Sequence, residues 1–595
     1  MLFIPQYRWR LTGLFGIDKI MSGEFKVNFG GVTMIVKTKS LPGIIVLTLI
    51  LAGCSAVMQN QTSLGYDPNN MPRLVKQGDI TQLEVDGEPF LILGGELHNS
   101  SSSSLDYMKP IWPKLEQMNL NTVLAAVSWD LIEPKEGQFD FTLVDGMIKE
   151  ARRHDLHLII LWFGSWKNGI SHYVPSWVKN NIERFPRVRI ESGKNIEVLS
   201  TLSYENRRSD VRAFTELMRH IREVDSRKHT VIMIQVENEV GVLGDSRDRC
   251  PLANDAFAKP VPAELMRYLT ENKDSLLPGL RNLWSKTGFK ETGTWTEVFG
   301  TGERADEIFM AWNYARYIDQ IAEAGKAEYP LPMFVNAWIV QPEDKKPGDY
   351  PSGGPQAEMN DIWRAGAPNI DLLAPDIYLP NFTEICASYS RGGNPLFIPE
   401  SFAGVRGAAN VFYAVGRYNA MGYSPFGIDG IPTDAENDPF SKAYEVLSQL
   451  APQILNGQAK GKIVGVILNK EKPGEKIELG DYILAVELRQ QRRRTTVPDL
   501  AYGLIISTGP DEYIVAGNDI QITFFPNTPG PQMVGLESVY EGEYIKGKWV
   551  PGRKLNGDAI MLNYHLDQMA EENRSGSVLR IQDGPAIRRV KLYRF

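Results

Sequence analysis

The chain has 595 residues, with 64 Lys+Arg against 72 Asp+Glu for a net charge of −8, and 43% of its residues are hydrophobic. This is the composition of a packed protein of two or three domains, and the acidic balance argues against a nucleic-acid partner, which needs concentrated positive charge. Three Cys cannot build a disulfide framework, none stands in a paired zinc-ligand spacing, and there are only 7 His, so neither a metal nor a cofactor is expected.

The first predicted element is an address. Residues 34–54 read MIVKTKSLPGIIVLTLILAGC, with Lys37 and Lys39, an apolar run over 41–51, and small residues before Cys54. A basic start, an apolar run too short to span a bilayer and a small-residue end are the pattern of a cleavable export signal. Leu51-Ala52-Gly53-Cys54 resembles the lipobox of bacterial lipoproteins, which implies lipidation of Cys54 and removal of residues 1–53. With no Asp after Cys54, the resemblance implies the outer membrane, and residues 1–33, upstream of a complete signal, are read as discarded. Residues 1–53 hold six basic and two acidic residues, so their removal takes the net charge from −8 to −12. Cys250 and Cys386 then remain, and the sequence leaves their pairing open.

Residues 54–85 read as a polar extension. From 86 to 460, short apolar runs recur at 90–94, 122–127, 156–163, 231–236, 333–338, 372–378, 396–399 and 423–428. Runs of this length fit strands buried on both faces, and amphipathic segments between them, such as 107–118, 143–154 and 210–224, predict parallel pairing. Eight such repeats predict a (β/α)8 barrel, an α/β fold. The long interval 241–332 predicts a helical insertion on the loop after the fourth strand, with a polar stretch running to 297. After a last helix over 442–455, short alternating runs broken by Gly, Pro, Asn and Asp predict a C-terminal antiparallel β domain over 461–595.

Two carboxylates stand where such a barrel places its chemistry. The fourth run ends in Glu237-Asn238-Glu239 and the seventh in Glu400-Ser401, at the C-terminal face that carries active sites. Facing carboxylates are what retaining glycoside hydrolysis requires, one to protonate the leaving oxygen and one to attack the anomeric carbon. Either Glu alone reads as a solvated loop residue. The pair at strands four and seven gains its meaning from QVENEVG at 235–241, which resembles the acid/base segment of glycoside hydrolase family 35, the β-galactosidases. The blocks LGGELH (93–98), WPKLEQMNLNTV (112–123) and VSWDLIEPKEGQFDF (127–141) resemble the same family in order and spacing.

The resemblance implies Glu239 as acid/base, Glu400 as nucleophile, Asn238 as a ligand of the sugar 2-OH and Glu133 as a binder of galactose hydroxyls, set against a structural salt bridge for Glu133. Tyr378 is a candidate hydrogen-bond donor to Glu400, set against a core Tyr. Trp129, Trp166 and Trp338 are candidates to stack on sugar rings, although aromatics more often fill cores. Two departures from the family bear on substrate: Val240 stands where a Tyr is usual, and the strand-three loop GSWKNGISHYVPSW (164–177) lacks the usual Glu-Trp. The expected function is a retaining exo-β-galactosidase acting on galactose-containing oligo- or polysaccharides. A same-clan enzyme for another sugar (β-glucosidase, β-mannosidase or arabinosidase) and a non-catalytic carbohydrate-binding lipoprotein are the alternatives.

Overall fold

The structure, a computed structural model, describes residues 70–339, 345–431, 438–489, 498–557, 560–562, 577–581 and 584–595. It also describes the backbone of three antiparallel strands, Ile17–Ile20, Glu24–Phe29 and Val32–Lys37, in a separate unit ending at residue 67. The apolar run 41–51 and Cys54 lie outside the described residues, as does most of the basic cluster 489–494.

Each of the eight predicted runs contributes a barrel strand: β1 (Ile92–Glu96), β2 (Thr122–Ser128), β3 (His157–Lys167), β4 (Val231–Asn238), β5 (Met333–Trp338), β6 (Leu372–Asp376), β7 (Ile398–Ser401) and β8 (Gly422–Pro425). They pair in parallel in the order β6-β5-β4-β3-β2-β1-β8-β7, and a parallel bridge from Ile377 to Ser401 closes the ring. All eight positions of β4 are buried, because helices cover the outside while side chains fill the inside. Among the surrounding helices, α1 (Thr142–Arg153) buries Val144, Met147, Ile148 and Ala151, an i, i+3, i+4, i+7 face. The next, α2 (Tyr204–Asp225), is capped by Ser203, whose side chain accepts from the Asn206 amide.

Three expectations are corrected. The segment 107–118 is not one helix but two, Leu105–Met108 and Trp112–Gln117, because Pro110 and Pro113 offer no amide to a continuous ladder; Pro113 is tolerated in a first turn. The insertion is more helical than its polar composition suggests. The helical insertion is present, with helices Pro251–Phe257 and Ala263–Glu271 at its start, but the stretch read as polar to 297 also carries helices Pro278–Ser285 and Trp295–Phe299, which bury Leu280, Trp284, Trp295 and Val298 before α3 (Glu303–Glu328) begins. The third concerns the polar extension, whose end carries strands Arg73–Gln77 and Ile80–Val85, continued by Glu88–Phe90. This sheet places Leu83 and Val85 in one apolar cluster with Ile92, Leu124, Ile159, Phe334 and Phe397 from the barrel strands.

Helices α4 (Gly404–Arg417) and α5 (Pro439–Ala459) join the barrel to the C-terminal domain. That domain packs a six-stranded and a five-stranded antiparallel sheet around Val466, Leu484, Val486, Ile505, Val515 and Phe524. Gly416 on α4 and Gly465 on strand Ile463–Asn469 meet so closely that a Cβ on either would collide with the other element's backbone. Glycine at both positions is what lets helix and sheet touch. Cys250 and Cys386 are both buried and free, which settles their pairing.

Candidate active site

The strand ends converge on one cavity of about 260 Å³, lined by Asn168, Glu239, Trp338, Ile339, Asp376, Tyr378, Leu379 and Glu400. It adjoins a second, of about 760 Å³, with which it shares Ile339 and Leu379; Tyr350, Pro380, Asn381 and Tyr389 line the far side. The floor of the smaller cavity is acidic. Carboxylate oxygens of Glu239, Asp376 and Glu400 lie within 4.8 Å of one another.

Glu400 accepts from the Tyr378 hydroxyl at 3.0 Å, the hydrogen bond expected from the sequence, and from the Asn238 and Asn336 side-chain amides at 3.4 Å each. Asn336 also donates to Asp376 at 2.7 Å and accepts from the Glu239 backbone amide at 2.9 Å, so one β5 side chain ties β4, β6 and β7 together. Burial, with burial first and the Glu400 charge second, raises the Glu239 carboxyl from its ordinary 4.5 to about 7. The same two causes push Asp376 well above the carboxylate range. The Glu239 charge adds to the rise at Asp376. Burial and then Glu400 hold the Tyr378 hydroxyl upward too, so it remains a donor.

Two further charged groups face this cluster. Glu96, at the end of β1, is fully buried, with neither carboxylate oxygen hydrogen-bonded among the described residues, and burial followed by Glu400 raises it well above the usual range. Lys167, at the end of β3, is 7% exposed. Burial pulls its ammonium down, but Glu400, Glu239, Glu96 and Asp376 together hold it above its ordinary value. Around the cluster, Lys167 is thus one cation set against four carboxyl groups, Glu96, Glu239, Asp376 and Glu400.

Glu239, Glu400, Tyr378 and Trp338 line the cavity, and Asn238 touches Glu400 from the wall. The structure does not bring Glu133, Trp129 and Trp166 there. Glu133 is fully buried, accepting from Trp129 Nε1 at 2.7 Å, from the Gly137 amide at 2.7 Å and from Arg212 Nη2 at 2.5 Å; it is the structural salt bridge. Trp129 is buried with it. Trp166 donates to the Leu199 carbonyl at 3.1 Å and packs against Tyr314 and Tyr317, leaving no ring face for a sugar. Asp376, Asn336 and Lys167 were missed by sequence reasoning, and Glu96 was given no role. For Asp376, Lys167 and Glu96 the sequence signal is the one used for the two glutamates, a polar residue closing a buried apolar run, whereas Asn336 is a polar residue inside its run.

A closed (β/α)8 barrel hosts many chemistries, and carboxyl groups gathered at its strand C-termini are the arrangement that glycoside hydrolysis uses. Comparison with known proteins agrees: residues 104–336 match the family model described as beta-galactosidase (glycoside hydrolase 42). A beta-galactosidase of Xanthomonas manihotis is 28% identical over 255 residues, covering 41% of this chain and 37% of that protein. Beta-galactosidase 8 of Oryza sativa subsp. japonica is 26% identical over 232 residues, covering 38% and 31%. The chain therefore spans about a third of the length of the curated relatives it matches. Among solved structures, the beta-galactosidase from Bacillus circulans sp. alkalophilus aligns with TM-score 0.41 at 15% identity, covering 62% of this chain and 57% of that one. Residues 440–567 match a domain of unknown function, DUF5597. The barrel is a β-galactosidase-like glycoside hydrolase domain.

Proposed function

We propose that the protein is a retaining exo-β-galactosidase of the family-35 type, with Glu239 as acid/base and Glu400 as nucleophile. The observation that carries this reading is the approach of the Glu239 and Glu400 carboxylates to within 4.8 Å across a cavity of about 260 Å³. A retaining pair stands about 5–5.5 Å apart, whereas an inverting pair leaves about 6.5–9.5 Å for a water. Attack of a Glu400 oxygen on the anomeric carbon breaks the glycosidic bond as Glu239 passes its proton to the leaving oxygen. Water, deprotonated by Glu239, then hydrolyses the glycosyl-enzyme and frees Glu400. The unequal environments support the division of labour: Glu239 holds its proton to about 7, while Tyr378 and two amides donate to Glu400.

The cavity favours a single terminal sugar, with the leaving group running past Ile339 and Leu379 into the larger cavity. In this reading Asn238 binds the 2-OH and Trp338 backs the sugar. The substrate class is galactose-terminated oligo- or polysaccharide, and the signal pattern ending at Cys54 supports export and lipid anchoring at the outer membrane. The test is turnover of a panel of aryl β-glycosides, with the anomer of the first product read by NMR. Release of α-product, or a sugar other than galactose turned over best, sinks the corresponding part of the reading. For the anchor, Cys54→Ser should move the protein from the membrane to the soluble fraction; no change in partition would count against it.

A further inference from the structure

Beside the catalytic tip, β3 bulges. Val236 pairs with Trp162 but Asn238 pairs with Lys167, so residues 163–166 run past the single residue Glu237. Such a bulge strips backbone amides of their ladder partners. The Ser165 and Trp166 amides donate instead to the Glu237 side chain, at 2.9 Å to Oε1 and 2.7 Å to Oε2. Asp210 on α2 accepts from the Ser165 amide at 3.1 Å, the Ser165 hydroxyl at 2.5 Å and Trp162 Nε1 at 3.0 Å. Both carboxyls are fully buried and accept from the same Ser165 amide, which brings them within hydrogen-bonding reach of each other. A Cβ on Gly164 would lie 2.6 Å from Glu237 Oε1 and 2.8 Å from Asp210 Oδ1, so glycine is what admits the pair.

Two carboxylates have only acceptors, so their mutual hydrogen bond contains a proton. Asp210, with three donors on its two oxygens, is the better-solvated anion. Glu237 accepts two and has burial first, then Asp210, raising it well above the carboxylate range. Two tyrosine hydroxyls on α3 face the pair: Tyr314 lies near Glu237, and Tyr317 lies near both carboxyls, with Arg207 on α2 on its other side. Glu237 and Glu239 both hold left-handed backbone, at φ 64° and 44°, a conformation that the surroundings must enforce.

We propose that Glu237 is a neutral carboxylic acid donating its proton to ionised Asp210, and that this bridge is the positioning device holding the Glu237-Asn238-Glu239 tip against the end of β3. Its catalytic consequence rests on Glu239 being the acid/base. Glu237→Gln keeps a donor toward Asp210 and an acceptor for the Trp166 amide, so it mimics the neutral acid. Asp210→Asn sets an N–H against existing donors.

The experiment follows unfolding of the full chain from pH 5 to 7, alongside kcat and KM on an aryl β-galactoside. The wild type releases the bridging proton on unfolding, so its unfolding constant should rise relative to that of Glu237→Gln by about tenfold per pH unit. Asp210→Asn should lower kcat about 100-fold with KM little moved, and Glu237→Gln far less. Parallel pH–stability curves, a Glu237→Gln that does not fold, or one losing as much kcat as Asp210→Asn each overturn the proposal. If Asp210→Asn does not fold, Ser165→Ala replaces it, and a kcat equal to wild type would remove the positioning claim. The stability measurement uses no substrate, so the bridge and the galactosidase reading fail separately.

Discussion

Raising the pH through about 7 should remove the proton that Glu239 donates to the leaving group. Its carboxyl is raised from 4.5 to about 7, a shift worth about 3 kcal/mol at 1.36 kcal/mol per unit, and the residue is only 6% exposed, so little of this is screened. Because the folded-state value is the raised one, the stabilising proton is fully bound below 4.5 and lost as the pH climbs through 7. Two measurements follow from one cause. With a poor aryl leaving group, kcat/KM should fall about tenfold per unit above the limb, and Glu239→Ala on a dinitrophenyl β-galactoside, which needs no acid, should lose that limb. In urea unfolding, Glu239→Gln should gain about 3 kcal/mol on the wild type between pH 4.5 and 8. A limb that persists in Glu239→Ala, or a stability difference constant with pH, would refute the reasoning.

Lys167 opposes the rise at Glu239, so Lys167→Met should move the alkaline limb of kcat/KM to higher pH, and Lys167→Arg should restore it. Glu400→Gln should lose about 10⁴-fold or more in kcat on any aryl galactoside; activity near wild type would reassign the nucleophile. Trp338 is a half-buried ring on the cavity wall, and Trp338→Ala should raise KM about tenfold, ~1.4 kcal/mol, in steady-state assays. Glu133→Gln should cost about 3 kcal/mol in denaturant unfolding by leaving Arg212 poorly paired, while KM stays put; a KM effect without a stability effect would return Glu133 to substrate binding.

Much of the barrel was legible because its signals are local. An apolar run such as 231–236 needs only its own residues to read as a buried strand, and the pairing of an acid at the end of the fourth run with one at the end of the seventh, together with the resemblance of 235–241, marked Glu239 and Glu400. The two short helices at 105–117 and those at 278–285 and 295–299 were obscured because one or two turns carry too little period to read. Tryptophan was the weakest guide. Trp129, Trp166 and Trp338 look alike in sequence, yet only Trp338 faces the cavity, since which side a ring presents depends on what packs behind it.

The sequence by itself determined the alternation of strand and helix, the change to antiparallel β structure near 461, and the acids at the ends of the fourth and seventh strands. Only the tertiary structure decided which groups share the site. Asp376, Asn336, Glu96 and Lys167 arrive from four other strands, and burial and mutual charge, neither of which a linear pattern records, set the protonation of Asp376, Glu96 and Lys167. The bulge that brings Glu237 to Asp210 is likewise a matter of register between β3 and β4, a relation between strands that neither strand contains alone.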